Sequence, residues 1–131
     1  MIHNESRLLV GDNSGAKELL VIRCLGGSNR KFVGVGDLVV AVVKKAIPNA
    51  AAAKSKIVKA LIVNTKKSFL SEDGNYISFS ANYAIIVEIA GKSYLGTRIL
   101  VPIPRWFDKL VVIGDKNVPY KKILSLAPEL V

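Results

Sequence analysis

Hydrophobic residues alternate with polar ones along much of this chain, with a period of two. The alternation is clearest from Lys17 to Leu25 and from Lys56 to Thr65, where the apolar residues favour β-branched types. Successive side chains of a β-strand point to opposite faces, so this pattern predicts strands with a buried face. Asp37 to Lys45 and Asn82 to Ala90 are rich in valine and isoleucine and predict two more strands. The chain is therefore predicted to be mainly β.

Turn-forming residues separate these strands. Asp12-Asn13-Ser14-Gly15 predicts a turn, because short polar side chains hydrogen-bond their own backbone and glycine accepts positive φ. Glu72-Asp73-Gly74-Asn75 predicts a hairpin, since an Asp-Gly pair between extended segments is a strong hairpin signal. Residues 49–54 are predicted to form a further hairpin tip. Five or six short strands in a meander-like order favour a closed or partly closed small barrel, which leaves few exposed sheet edges.

Helical periodicity is confined to the C-terminal part of the chain. Pro104 to Leu110 and Tyr120 to Ala127 each predict a short helix, because Pro104 suits a first helical turn and Pro128 ends the second. The sequence contains no recognisable linker or repeat. A chain of 131 residues fits one domain of ordinary size, so we expect a single domain over residues 1–131.

The chain carries a formal charge of +9, from 19 Lys and Arg against 10 Asp and Glu. Such an excess attracts polyanions and points to nucleic acid or, less strongly, to an anionic membrane surface. Many of the cations form doublets near predicted strand ends: Arg30-Lys31, Lys44-Lys45, Lys54-Ser55-Lys56, Lys66-Lys67 and Lys121-Lys122. Aromatic residues are few and do not alternate with the doublets, which disfavours base stacking on aromatic platforms and favours docking on folded RNA.

The residue inventory argues against an enzyme. His3 is the sole histidine and is expected at a frayed terminus, and Cys24 is the sole cysteine, which excludes an internal disulfide and a cysteine-built zinc site. Cys24 is expected to be a small core residue on the same strand face as Leu20 and Ile22. No metal or cofactor is predicted. The apolar run at residues 38–43 is far too short to span a bilayer, so no membrane partner is expected.

Several motifs, in order, resemble one family closely. They are Asp12-Asn13-Ser14-Gly15-Ala16-Lys17, Leu25-Gly26-Gly27-Ser28, Gly34-Val35-Gly36-Asp37, Lys45-Ala46-Ile47-Pro48, Lys59-Ala60-Leu61-Ile62-Val63, Thr65-Lys66-Lys67, Gly96-Thr97-Arg98-Ile99 and Ser125-Leu126-Ala127-Pro128-Glu129. This series resembles the universal ribosomal large-subunit protein number fourteen, of bacterial type. The resemblance covers nearly the whole chain.

The resemblance implies a small five-stranded β-barrel with a projecting hairpin and short C-terminal helices. It also implies binding to large-subunit rRNA near the face that meets the small subunit, contact with a neighbouring ribosomal protein, a bridge to small-subunit rRNA, and docking of a ribosome-silencing factor. We expect RNA contacts from Lys17, Arg23, Arg30, Lys31, Lys44, Lys45, Lys54, Lys56, Lys59, Lys66 and Lys67. The interface with the small subunit and the factor is expected at Thr97, Arg98, Lys121 and Lys122.

The chain departs from the bacterial pattern in two ways. Related bacterial chains carry arginines where this one has Asn64, Leu70, Ser71 and Ser78, and a basic tip where it has residues 50–53. An inserted segment, about 106–118, contains an apolar run at residues 110–113 that could contact a neighbouring protein, add a strand or cover the C-terminal helices. Both departures favour an organellar ribosome, plastid or mitochondrial, over a bacterial cytoplasm.

Two of the predictions from the sequence have an alternative, one for the function of the chain and one for the turn at residues 12–15. The chain could be an autonomous oligonucleotide-binding barrel that acts outside the ribosome, which predicts stacking aromatics on one barrel face. The turn at residues 12–15 is expected to expose backbone N–H groups and Lys17 close to RNA, but it could also serve only to connect two strands.

Overall fold

The computed structural model describes residues 2–25, 32–48, 54–70, 74–87 and 99–103. These ranges contain nine β-strands and no helix. In chain order the strands are β1 (Ile2–His3), β2 (Arg7–Val10), β3 (Ala16–Cys24), β4 (Phe32–Val33), β5 (Leu38–Ala46), β6 (Ile57–Asn64), β7 (Phe69–Leu70), β8 (Tyr76–Ile77) and β9 (Tyr83–Val87). The two strands predicted from alternation correspond to β3 and β6, and the two predicted from their valine and isoleucine content correspond to β5 and β9; each begins within one residue of its predicted start.

Five strands form a closed barrel in the order β2-β3-β5-β6-β9. Neighbouring strands are antiparallel except for β2 and β9, which pair in parallel, with Leu9 opposite Tyr83 and Val10 opposite Ala84. This parallel pair closes the barrel, because it joins the first and last strands of the sheet. The predicted mainly-β fold with a five-stranded barrel is confirmed.

The core lies on both sides of β6 and β9. Inside the barrel, alternate residues from its strands pack together with Ile2 and Val33 of the small β1-β4 sheet. A second cluster lies against the other side of β6 and β9, where residues 99–103 contribute Ile99, Val101 and Ile103. Residues 60–64 of β6 and 84–87 of β9 are therefore buried on both faces, which accounts for their nearly uninterrupted runs of apolar residues.

The Asp-Gly hairpin is present. Strand β7 pairs with β8 in antiparallel register, and this two-stranded sheet is separate from the barrel. Gly74 has a φ of 84°, a left-handed conformation that glycine adopts without a steric penalty. Residues 71–73 of this turn, the tip at 49–53 and both predicted C-terminal helices lie outside the described residues.

The expectation of a frayed N-terminus is wrong. Ile2 pairs with Val33 and His3 with Phe32 in a short antiparallel sheet. Ile2 is fully buried in the barrel core and fixes the start of the chain. The imidazole of His3 is solvent-exposed and lies edge-on to Phe32, with the ring centroids 6.2 Å apart.

The predicted face of Cys24 is also wrong, although its burial in the core is confirmed. The register between β3 and β5 shifts between Val21 and Arg23, so the alternation of inward and outward side chains changes there. As a result Cys24 packs inside the barrel with Leu19 and Val21, whereas Ile22 is 46% exposed on the outside.

Replacing Cys24 with alanine should lower the free energy of unfolding by about 1 kcal/mol, because a small buried side chain is lost from a packed interior. Urea denaturation of the two proteins measures this difference. Incorporation of the variant into large subunits should match that of the wild type. A stable variant that fails to incorporate would contradict a purely structural role for this thiol.

Candidate nucleic-acid interface

Five of the predicted RNA-binding lysines lie at one end of the barrel, where β5 turns into β6. Lys45 is opposite Glu18 near the start of β3, and the register shift before Glu18 places Lys17 in a bulge beside them. The backbone N–H of Ser55 donates to the carbonyl oxygen of Val43 at 2.7 Å, which brings the following hairpin strand against β5. The lysines of this end are exposed: Lys17, Lys44, Lys45, Lys54 and Lys56.

Two more cations lie farther along the same outer surface. Arg23 on β3 and Lys59 on β6 both pair with Val40, which lies between them on β5. Adjacent strands are about 4.8 Å apart, so the two Cα atoms are separated by roughly 10 Å. Along β5, this row is about 13 Å from Lys44, at ~3.3 Å per residue.

An aliphatic row lies between the lysine-rich end and the Arg23–Lys59 row. Leu20 pairs with Val42, and Val42 pairs with Ile57 on the next strand. Ile57 is 56% exposed, and the other two side chains are half-buried. We call this surface, with its seven cations and its aliphatic row, the outer basic face: Lys17, Leu20, Arg23, Val42, Lys44, Lys45, Lys54, Lys56, Ile57 and Lys59. The sequence did not reveal the aliphatic row, because only strand pairing brings its members together.

Lys66 and Lys67 are not part of the outer basic face. They follow the far end of β6, where the backbone N–H of Lys66 donates to Oδ1 of Asn82 at 2.8 Å. The eight residues of β6 separate them from Lys56 by about 26 Å. Both side chains are exposed, so they form a second basic position on the barrel.

Six of the predicted contact residues lie outside the described residues. They are Arg30, Lys31, Thr97, Arg98, Lys121 and Lys122. The inserted segment at 106–118 lies outside them as well. The roles predicted for these positions remain predictions.

A carboxylate lies among the cations of the outer basic face. Nη1 of Arg7 donates to Oε1 of Glu18 at 2.8 Å, and Nζ of Lys45 is 3.4 Å from Oε2. The hydrogen bond from Arg7 is the main reason that the pKa of Glu18 lies below its usual value, and Lys45 lowers it further. Glu18 is therefore ionised at neutral pH and pairs with two exposed basic side chains.

Replacing Glu18 with glutamine should make the thermal stability of the protein less sensitive to acid. A carboxyl group whose pKa is lowered by folding stabilises the folded state above its unfolded pKa, and this contribution disappears as the pH falls through the folded pKa. The Tm difference between wild type and variant should therefore shrink from pH 7 toward strongly acidic pH. In an Arg7→Ala background the substitution should matter less, and an unchanged effect there would contradict the assigned cause.

The Asp12-Asn13-Ser14-Gly15 turn is confirmed, but it is built into the barrel. Oδ1 of Asp12 accepts hydrogen bonds from the backbone N–H of Ser14 at 3.0 Å and from its hydroxyl at 2.6 Å. Asp12 and Ser14 are both buried, and Gly15 has a φ of 96°. The expectation that this turn exposes its N–H groups is therefore wrong for Ser14. Lys17 is exposed as expected.

The described ranges lack two kinds of feature. They contain no group of three or more His, Cys, Asp or Glu side chains placed to hold a metal ion. They also contain no helix with the length and apolar character needed to cross a membrane.

The sequence matches a known protein family. The match spans residues 1–131, the full length of the sequence, and the matching family is described as ribosomal protein L14p/L23e. The motifs that carried the resemblance include the 12–15 turn and the β6 strand, which are both in place in the barrel. The chain belongs to the ribosomal protein L14p/L23e family and is a structural constituent of the large ribosomal subunit.

Proposed function

We propose that the protein binds large-subunit rRNA through the outer basic face. The observation that carries this proposal is the gathering of seven Lys and Arg side chains from β3, β5, β6 and the adjoining turns on one outer surface. Cations that reach phosphate oxygens supply the sequence-independent part of RNA binding. The aliphatic row between them is partly exposed, which suits contact with riboses along a folded RNA that is recognised by its shape.

Lys66 and Lys67 add a second contact on the same RNA or on a neighbouring helix. Their distance from the outer basic face, about 26 Å along β6, exceeds the width of a single groove. A molecule held at both positions is fixed in orientation as well as in place. This arrangement suits a protein that stabilises folded rRNA in an assembled particle.

The contacts proposed for residues outside the described ranges rest on the family resemblance. We propose that Thr97, Arg98, Lys121 and Lys122 face the small subunit, where they contribute to a bridge with small-subunit rRNA and offer a docking surface to a ribosome-silencing factor. The chain is proposed to act as one domain over residues 1–131, with the segment at about 106–118 contacting a neighbouring ribosomal protein. An organellar ribosome fits the departures from the bacterial pattern best.

Fractionation of the native source on a sucrose gradient tests this function directly. The protein should migrate with large subunits and with joined ribosomes, and raising the salt concentration should release it as its contacts with phosphate weaken. An autonomous oligonucleotide-binding barrel would instead remain at the top of the gradient. That result would contradict the proposal. The outer basic face, whose described residues include no aromatic side chain, favours the ribosomal assignment.

A further inference from the structure

The β7-β8 hairpin leaves an aromatic ring in contact with water. Along β8 and the two residues after it, exposed and half-buried side chains alternate: Tyr76 and Ser78 are exposed, whereas Ile77 and Phe79 are half-buried. Tyr76 is 75% exposed, the largest value for a large apolar residue among the side chains that the structure describes. Ile77 and Phe79 therefore lie on the face that packs against the protein, and Tyr76 lies on the solvent face.

Two exposed lysines lie at the base of this hairpin. The backbone N–H of Phe79 donates to the carbonyl oxygen of Thr65 at 3.1 Å, and the hydroxyl of Thr65 donates to the carbonyl oxygen of Lys67 at 2.9 Å. Thr65 itself is buried. These hydrogen bonds attach the base of the hairpin to the end of β6, with the exposed side chains of Lys66 and Lys67 beside it.

Lys67 is close enough to Tyr76 for one short stretch of RNA to contact both side chains. It lies three residues before Leu70, and Leu70 pairs with Tyr76 across the hairpin. Three extended residues span at most about 10 Å, and paired Cα atoms in an antiparallel sheet are about 5 Å apart. The Cα atoms of Lys67 and Tyr76 are therefore separated by at most ~15 Å.

We propose that Tyr76 stacks on one unpaired base of large-subunit rRNA while Lys66 and Lys67 contact phosphates next to that base. This inference deepens the proposed function and rests on it, because it takes the two lysines as the second contact with rRNA. An exposed ring beside two positive charges matches a nucleotide, which carries an aromatic base and an anionic phosphate. The base is unpaired, since sequence-tolerant stacking on protein side chains requires a base that has left the duplex.

Charge and composition fit this arrangement. The sequence between β7 and β8 contains two carboxylates, Glu72 and Asp73. Because carboxylates repel phosphate, the phosphates are expected on the lysine side of the Tyr76 ring. A single ring holds a single base, in contrast to the rows of aromatic side chains that bind successive bases of a single strand.

Binding of the purified protein to protein-free large-subunit rRNA from the same source tests the stacking. Tyr76→Ala should weaken binding at least about fivefold, the lower end of the loss for one stacked base. The slope of log affinity against log salt should not change, because no phosphate contact is lost. Tyr76→Phe and Tyr76→Trp keep an aromatic ring and should bind like the wild type.

Tyr76→Ile distinguishes stacking from apolar contact. Isoleucine favours β-strands and keeps an apolar side chain on the hairpin, but it has no ring, so this variant should bind as weakly as Tyr76→Ala. Wild-type binding by Tyr76→Ile would overturn the proposal. Thermal unfolding of all the Tyr76 variants should match the wild type, because the side chain is exposed.

The matched control removes an exposed ring elsewhere on the protein. Phe32 on β4 is 52% exposed and is not part of the hairpin, so Phe32→Ala should bind rRNA like the wild type. An equal loss of binding in Phe32→Ala and Tyr76→Ala would show a general effect of exposed aromatic surface, and the site at Tyr76 would be wrong.

A photoreactive side chain identifies the occupant in the assembled particle. Benzoylphenylalanine at position 76 reacts with either RNA or protein, and in complete large subunits it should crosslink to an unpaired nucleotide of the rRNA. A crosslink to a neighbouring protein alone, or no crosslink to rRNA, would contradict the stacking role.

Substitution of the lysine pair separates this inference from the proposed function. Lys66→Ala/Lys67→Ala should weaken binding and lower the salt slope by up to ~2. If this variant behaves as expected and Tyr76→Ala binds normally, the stacking is wrong and the second contact stands. If the lysine pair has no effect either, the inference and the second contact fail together, while loss of binding on removing lysines of the outer basic face would still support rRNA binding there.

Discussion

Replacing Ile62 with alanine should lower the free energy of unfolding by about 2–5 kcal/mol, one of the largest effects of any single substitution in this chain. Ile62 is fully buried and points into the barrel from β6, a strand hydrogen-bonded on both sides. The substitution leaves a cavity that the surrounding strands cannot fill without distorting their hydrogen bonds. In thermal unfolding, Tm should fall by roughly 10 °C.

Two other positions on β6 serve as matched comparisons. Ile57→Ala makes the same chemical change on a side chain that is 56% exposed, so we expect an effect within about 0.5 kcal/mol. Leu61→Ala should cost about as much as Ile62→Ala, because Leu61 is fully buried in the cluster formed with residues 99–103. A small effect at Leu61 would contradict the burial of β6 on both faces.

Replacing Lys44, Lys45, Lys54 and Lys56 together with alanine should weaken binding to protein-free large-subunit rRNA from the same source by at least about a hundredfold at low salt. These four side chains are exposed at one end of the barrel, where a phosphate backbone can reach all of them. Each phosphate contact that is lost should also reduce the slope of log affinity against log salt by ~1. Filter binding over a series of salt concentrations measures both quantities.

The matched control replaces the same four lysines with arginine. The charge is retained, so the salt dependence should stay close to that of the wild type, although the arginine side chain binds phosphate with a different geometry. Thermal unfolding should be little changed in both variants, because the four side chains are exposed. If the alanine variant kept the wild-type salt slope, the outer basic face would not be the RNA-binding surface.

Local patterns in the sequence were enough to place most of the strands and turns. Strands β3, β5, β6 and β9 follow from runs of apolar residues, and the turn at residues 12–15 and the hairpin near Gly74 follow from residues that favour turns. These features depend on interactions between residues close together in the chain, such as the Asx turn of Asp12 with Ser14. The family motifs supplied the number of strands in the barrel, which periodicity alone left at five or six.

Features that depend on contacts between distant residues could not be predicted in this way. The strand face predicted for Cys24 was wrong because a bulge in β3, set by its pairing with β5, changes the alternation of inward and outward side chains. The outer basic face joins cations from three strands, and the sequence alone did not separate Lys66 and Lys67 from it. The carboxylate of Asp12 accepts a hydrogen bond from the backbone N–H of Ile86, which lies 74 residues later in the chain.

Side-chain alternation and turn chemistry act over a few residues, so the amino-acid sequence was enough to predict short strands separated by turns. The faces that those strands bury, and the residues that meet across the barrel, depend instead on how the strands pair with one another. The parallel pairing of β2 with β9, and the packing of residues 99–103 against β6 and β9, exist only once the barrel is closed. Both are favoured by burial of apolar surface and by hydrogen bonds between segments that a local pattern does not connect.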